Sequence, residues 1–164
     1  MPEKETLKRA EEDRRQGKAP STQAGEFIRE EMHHIREGKH GARSAKQAVA
    51  IGLSKARQAG VELPPPKKGS QKTRSSAKHA YERGQEEPNR KPSARRSRAT
   101  RSALEREPRE AASHKALSRQ GRSAAAGRSR QERSASARKA SRTRASAGRS
   151  ASARKAATTR AKKR

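Results

Sequence analysis

The sequence contains no cysteine and no tryptophan, and aromatic residues make up 1% of its 164 residues. Without cysteine there are no disulfides and no thiolate metal ligands, which fits a reducing compartment. The longest uninterrupted apolar run covers residues 48–51, whereas a membrane-spanning helix needs about 20 such residues. Nothing in the sequence therefore predicts export or membrane anchoring, and we expect a cytoplasmic protein.

Basic residues greatly outnumber acidic residues. The sequence has 44 Lys and Arg against 17 Asp and Glu, which gives a net charge of +27. Apolar residues make up only 27% of the chain. Such a composition offers little apolar surface to offset the conformational entropy of ordering, about 1–2 kcal/mol per residue. We therefore expect a mostly disordered chain with a small all-α part.

Composition divides the chain into four predicted parts. Helix-forming residues dominate the first part, a run of prolines opens the third, and Ala, Ser, Arg and Lys make up nearly all of the fourth. The parts are a charged N-terminal helix in 1–20, an αα-hairpin domain in 21–63, a Pro-containing mixed-charge linker in 64–110 and a disordered basic tail in 111–164.

The predicted hairpin follows from two amphipathic segments. Ile28, Met32 and Ile35 are spaced i, i+4, i+7, which places them on one face of a helix. Ser44 and Gln47 have the spacing of a capping box, so a second helix is predicted to start there. Small residues recur along this second helix and permit close packing. We therefore predict an antiparallel pair of helices.

Other apolar residues of the hairpin region lie outside this helical face. Val61 and Leu63 are predicted to fold back over the open end of the hairpin. Ile51 points away from Val49 on the second helix, and two interpretations stay open. It forms a face through which hairpins associate into a homo-oligomer, or it is a single exposed apolar residue of the kind that every surface carries.

Histidines near the predicted turn of the hairpin, together with neighbouring glutamates, are candidate metal ligands. His33, His34 and His40 lack the i, i+4 pairing that places two imidazoles on one helical face. They are therefore interpreted as solvated histidines near a helix end. The many serines have no His/Asp arrangement to activate them. The sequence predicts no enzyme, no catalytic residue, no metal and no cofactor.

The tail carries most of the net charge, with seventeen basic residues and one acidic residue in 111–164. Residues 133–140 recur unchanged at 149–156 without a large apolar residue, which indicates low complexity. Arginine favours bidentate contacts with phosphate. The residues predicted to contact nucleic-acid phosphates are Arg119, Arg122, Arg128, Arg130, Arg133, Arg138, Lys139, Arg142, Arg144, Arg149, Arg154, Lys155, Arg160, Lys162, Lys163 and Arg164.

These features predict a nucleoid-associated, histone-like protein that binds and compacts DNA without reading its sequence. Neither a zinc-finger pattern nor an aromatic RNA-stacking motif is present. Because the same electrostatics suit RNA, an RNA-associated or ribosome-associated protein is the first alternative. The second alternative is a protein-interaction module of a plasmid-maintenance system, with the tail as an accessory anchor.

Four segments of the hairpin region stand out, namely GEFIREE in 25–31, REGKHGARS in 36–44, KQAVAIGLSKAR in 46–57 and LPPPKKG in 63–69. They resemble a family of small basic bacterial proteins with an uncharacterised conserved helical domain. Some members are labelled plasmid-stabilisation proteins, which implies DNA maintenance and supplies no catalytic residues. The tail separately resembles the C-terminal tails of linker-histone-like bacterial proteins, which implies that it coats DNA.

Overall fold

The computed structural model describes residues 2–142, and 72% of them are helical. Within this part of the chain there is no strand, and no helix is both long and apolar enough to cross a membrane. The helices are α1 (Lys4–Arg15), α2 (Pro20–Arg36), α3 (Ala45–Gln58), α4 (Gln71–Glu86), α5 (Ala94–Glu105), a short 3-10 helix (Arg109–Ala112), α6 (His114–Ala126) and a further helix in 130–142.

Helices α2 and α3 form the predicted antiparallel pair. Phe27, early in α2, packs with Ala56, late in α3, whereas Met32 and Ala48 pack together at the other end. The two helices cross closely at Gly52, where a Cβ atom would lie 2.8 Å from the Cα of Ile28. The α2–α3 hairpin is therefore held by side chains small enough to let two backbones approach.

The start of α3 has the predicted cap. Ser44 Oγ accepts a hydrogen bond from the Gln47 backbone N–H at 3.2 Å. The Gln47 side chain reaches back one residue further than expected and accepts a bond from the Arg43 backbone N–H at 2.8 Å. These two bonds satisfy backbone donors that the first turn of a helix leaves without partners.

One apolar cluster closes the open end of the hairpin. Its fully buried centre is Phe27, and α1 contributes Ala10. Val61 belongs to this cluster and Leu63 packs against it, so the prediction that they fold back is confirmed. Arg57 holds this return in place, because its Nε donates to the Leu63 carbonyl at 3.1 Å.

A second apolar cluster connects the hairpin to the segment between α5 and α6. Ala111 and Ala112 of the 3-10 helix are buried against Ile35 and its neighbours in the hairpin. The Arg36 Nε donates to the Ala112 carbonyl at 3.0 Å. The Gly41 backbone N–H donates to the Leu104 carbonyl at 2.8 Å. The turn between α2 and α3 is therefore bonded to residues more than sixty positions away.

Helix α4 packs on α3 through small residues. A Cβ atom at Gly84 would collide with the Arg57 carbonyl oxygen, so the two helices meet at the backbone. Ala77 and Ala80, on the same helix, are buried. Just beyond α4, the Asn89 N–H donates to the Gln58 carbonyl at 2.9 Å. Residues that the sequence predicted as linker thus form a packed layer.

The prediction of a mostly disordered chain is wrong for the described residues. It averaged hydrophobicity over the whole chain, whereas buried alanines let short polar helices pack with little apolar area. Serine caps also start the later helices, at Ser70, Ser93, Ser113 and Ser129. Residues 143–164 lie outside the described part. The predicted division into four parts stays a prediction, and contacts group the chain into two units, Met1–Gln120 and Gly121–Arg164.

We expect Gly84→Ala to destabilise the protein by roughly 1–3 kcal/mol, because a Cβ there forces α3 and α4 apart. Gly25→Ala, in α2, is the matched control, since nothing lies within 4 Å of a Cβ at that position. It should stabilise the protein by about 0.5–1 kcal/mol through helix propensity. Urea unfolding measures both, and equal effects of the two substitutions would contradict the packing of α4 on α3.

Candidate nucleic-acid interface

Helix α5 is an arginine-rich helix with no buried residue. The Ser93 Oγ caps its N-terminus by accepting a bond from the Arg96 N–H at 3.4 Å. Arg101 pairs with Glu105 at 3.3 Å. Within the described part of the chain, Arg95, Arg96 and Arg98 have no acidic partner, and their side chains face solvent. Most of the charge of α5 is therefore available to an external anion.

Helix α6 has one apolar contact and a basic face. Leu117 packs against the second apolar cluster. At 100° per residue, Lys115 and Arg119 lie about 160° from Leu117 around the helix axis. Both are exposed. The contact that attaches the first part of α6 to the hairpin thus orients its cations toward solvent.

The helix in 130–142 begins with a complete capping box. Ser129 Oγ accepts a bond from the Glu132 N–H at 3.1 Å, and Glu132 Oε2 accepts one from the Ser129 N–H at 2.7 Å. Every described residue of this helix is exposed. Helix formation here depends on local capping and propensity, because no apolar face is buried.

Half of the predicted phosphate-contacting residues fall in the described part of the chain. All of these are exposed, namely Arg119, Arg122, Arg128, Arg130, Arg133, Arg138, Lys139 and Arg142. The others lie outside the described residues, namely Arg144, Arg149, Arg154, Lys155, Arg160, Lys162, Lys163 and Arg164. Their role as phosphate contacts stays a prediction.

The sequence-based prediction left out the arginines of α5. They lie inside a long segment of mixed charge. Acidic residues at the two ends of that segment lower its net charge, so the local excess of basic residues does not show in the total. Residues 89–106 contain seven basic residues and one acidic residue. A short charge window, together with the serine cap at Ser93, would have found a basic helix there.

Basic residues near the N-terminus are used differently, because most of them neutralise acids of the same fold. Glu26 is held by Arg9 at 2.8 Å and by Arg29 at 3.0 Å. Lys18 lies 2.5 Å from Asp13. Charge in this part of the chain is therefore largely compensated, in contrast to α5.

Two glutamates of α2 are buried with one lysine of α3. The side chains of Glu30 and Glu31 are 2% and 1% exposed. Lys55 Nζ lies 2.6 Å from Glu31 Oε2 and 3.7 Å from Glu30 Oε1. Since ions lose hydration on burial, Lys55 is required to compensate these carboxylates.

The interpretation of all three hairpin histidines as solvated is wrong. His33 is exposed, but the side chains of His34 and His40 are only 12% and 13% exposed. His34 Nε2 lies 2.8 Å from Glu3 Oε1, and Lys39 also contacts Glu3. The hydrogen bond with His34, followed by that with Lys39, lowers the pKa of Glu3. The turn after α2 brings His40 back beside His34, which helical spacing alone does not reveal.

The comparison with known families concerns this hairpin. Residues 19–68 match DUF6496, a family of unknown function. The match covers α2, α3 and the prolines after them, which is under a third of the chain. No curated protein and no solved structure matches the sequence significantly. The family match supports neither the plasmid-stabilisation label nor the likeness to linker-histone tails.

We expect Lys55→Met to destabilise the protein by about 3 kcal/mol, because it leaves two buried carboxylates without their cation. Lys46→Met is the matched control on the same helix, since Lys46 is exposed and lacks an acidic partner among the described residues. Its effect should stay within about 0.5 kcal/mol. Urea unfolding midpoints measure both, and equal effects of the two substitutions would contradict the role of Lys55 as the counter-ion of these carboxylates.

Proposed function

We propose that the protein binds nucleic acid, preferably duplex DNA, through exposed basic helices and without dependence on base sequence. The observation that supports this most directly is the charge of residues 89–142, which contain seventeen basic and four acidic residues, a net charge of +13. All seventeen basic side chains are exposed. Such an excess favours a polyanionic partner.

The charge density of α5 suits a duplex. Four of its seven residues in 95–101 are arginines, and this stretch is about 10 Å long at the helical rise of 1.5 Å per residue. Duplex DNA carries about six phosphate charges over that length. The planar guanidinium also bonds two phosphate oxygens at once, which an ammonium does not.

Indifference to base sequence is inferred from the distribution of the arginines. At 100° per residue, Arg95, Arg96, Arg98 and Arg101 spread over more than half of the circumference of α5. A helix that reads bases presents a few side chains on one face to the groove. The lone tyrosine, Tyr81, is half-buried in α4 and offers no open surface for base stacking.

Binding of this kind fits association with the nucleoid. The family match lies in the hairpin, whereas the exposed cations of residues 89–142 follow it in the sequence. In this proposal the hairpin is the folded support to which α5 is attached.

We expect the full chain to bind two unrelated duplexes with equal affinity at each salt concentration. If about half of the seventeen cations in residues 89–142 engage, log K should fall against log salt with a slope of about −7 to −8. Fluorescence anisotropy across a salt series measures the slope. A preference for one duplex would contradict sequence indifference, and tighter binding to structured RNA at matched salt would make RNA the partner.

Replacing Arg95, Arg96 and Arg98 by glutamine should make this slope shallower by roughly 2–3, since each lost phosphate contact removes about 0.9. The matched control replaces Lys4, Lys8 and Arg15, three exposed cations of α1, by glutamine. It changes the net charge equally and should leave the slope nearly unchanged. Equal loss in both variants would show that only net charge matters and that α5 is not a contact surface.

A further inference from the structure

Three side chains near the turn of the hairpin form a cluster with metal-ligand chemistry. Glu31, His34 and His40 each offer one ligand atom, and these atoms all lie within 4.8 Å of one another. Glu31 and His34 belong to α2, and His40 follows the turn at Gly38, whose φ is +78°. Two imidazoles and one carboxylate are a ligand set found in zinc proteins.

His40 faces the buried carboxylate of Glu31 through its Nε2. His40 Nδ1 lies 3.1 Å from the Gly41 carbonyl oxygen, which can only accept a hydrogen bond. Nδ1 therefore carries the proton, and in the neutral ring Nε2 carries a lone pair. That Nε2 lies 3.3 Å from Glu31 Oε1, which receives no hydrogen bond although it is buried. Two acceptors facing each other repel unless a positive charge lies between them.

The spacing of these two acceptors matches that of ligands around one ion. Nitrogen and oxygen ligands lie about 2.0–2.2 Å from zinc in tetrahedral geometry, which separates them by roughly 3.3–3.5 Å. The observed 3.3 Å between His40 Nε2 and Glu31 Oε1 falls in this range. The hydrogen bond from His40 Nδ1 to a backbone carbonyl is also the type of contact that orients histidine ligands.

His34 is oriented in a comparable way. Its Nε2 lies 2.8 Å from Glu3 Oε1, so this nitrogen donates to a carboxylate. Its Nδ1 lies 4.0 Å from Glu30 Oε1, on the side of the buried carboxylates. A cleft lined by Glu3, His34 and Lys39 opens beside His34.

Charge balance also favours an additional cation. Glu30 and Glu31 contribute two buried negative charges, and Lys55 contributes one positive charge from the side of Glu31 Oε2. Glu31 Oε1, on the side of His40, has no hydrogen-bond donor among the described residues. Buried carboxylates without a partner are costly, so a divalent ion at this oxygen would relieve the site.

We infer that Glu31, His34 and His40 bind a divalent transition-metal ion, with zinc the best match to the ligand set, and that the ion stabilises the hairpin turn. His40 precedes Gly41, whose N–H donates to the Leu104 carbonyl. An ion held there would fix the turn on which residues 104–112 are docked. This inference goes beyond the proposed function and requires no nucleic acid.

The test is titration of the full chain, freed of nucleic acid and metal, with zinc alone. Calorimetry should show one ion per chain, and the melting temperature should rise with zinc and fall again with a chelator. His40→Gln and His34→Gln should each weaken zinc binding by at least roughly 10- to 100-fold. Losing only the hydrogen bond that orients a ligand already costs about that much affinity. His33→Gln, one residue away but exposed, should bind as the native chain does.

Two results would overturn the inference. One is the absence of a stoichiometric ion in the native chain, or equal loss of binding in His33→Gln. The other is a chain whose melting temperature changes neither with zinc nor with a chelator. Should the histidine variants fail to fold, cobalt in the native chain gives an independent measurement. An intense visible band of tetrahedral cobalt supports the site, and the spectrum of the hydrated ion contradicts it.

Discussion

Helices α2 and α3 approach each other so closely at Gly52 that their backbones come into contact, and the remaining helices of Met1–Gln120 depend on this crossing. A chain with one phenylalanine and no tryptophan has few large side chains to bury. It gains packing instead by bringing small residues to short distances, where many weak dispersion contacts add up. Phe27 lies on one side of the crossing and Ile35 on the other. Helix α1 docks on the first side and the 3-10 helix on the second.

Basic residues are used differently in the packed hairpin and in the helices that follow it. Near the hairpin, cations are used internally, as in the contact of Arg9 with Glu26 and of Lys55 with Glu31. Beyond α4, residues 89–142 contain seventeen basic and four acidic residues. Arg95, Arg96 and Arg98 therefore have no acidic partner among the described residues. A cation that stabilises a fold is not free to bind a phosphate. Arg95, Arg96 and Arg98, at the centre of the proposed nucleic-acid interface, are therefore cations that form no ion pair among the described residues.

Sequence patterns predicted the hairpin because its signals are local. The stripe of Ile28, Met32 and Ile35 and the cap at Ser44 each lie within one or two helical turns, and the structure has both. Disorder was inferred instead from the composition of the whole chain, and that average hid the helix starts at Ser93 and Ser129. A capping box in a low-complexity segment is a local signal of the same kind, and a helix does begin there.

Local sequence patterns do not predict contacts between segments that are distant in the sequence. Nothing in the sequence around Ala111 and Ala112 indicates that they are buried under Ile35, because two alanines fit many surfaces. The proximity of His34 and His40 was not predicted for a related reason. Helical spacing compares residues on one helix, whereas His40 lies in the turn after α2. The exposed arginines of α5 were missed because the charge was counted over too long a segment.

The turn between α2 and α3 connects the candidate metal site with helix α5. The Gly41 carbonyl orients His40, and the Gly41 N–H donates to the carbonyl of Leu104, near the end of α5. The neighbouring Ala42 N–H donates to Pro108 at 3.0 Å. Since α5 buries no residue of its own, these bonds at its C-terminal end are what position it relative to the hairpin. Whatever stabilises the turn therefore also fixes the place from which the arginines of α5 project.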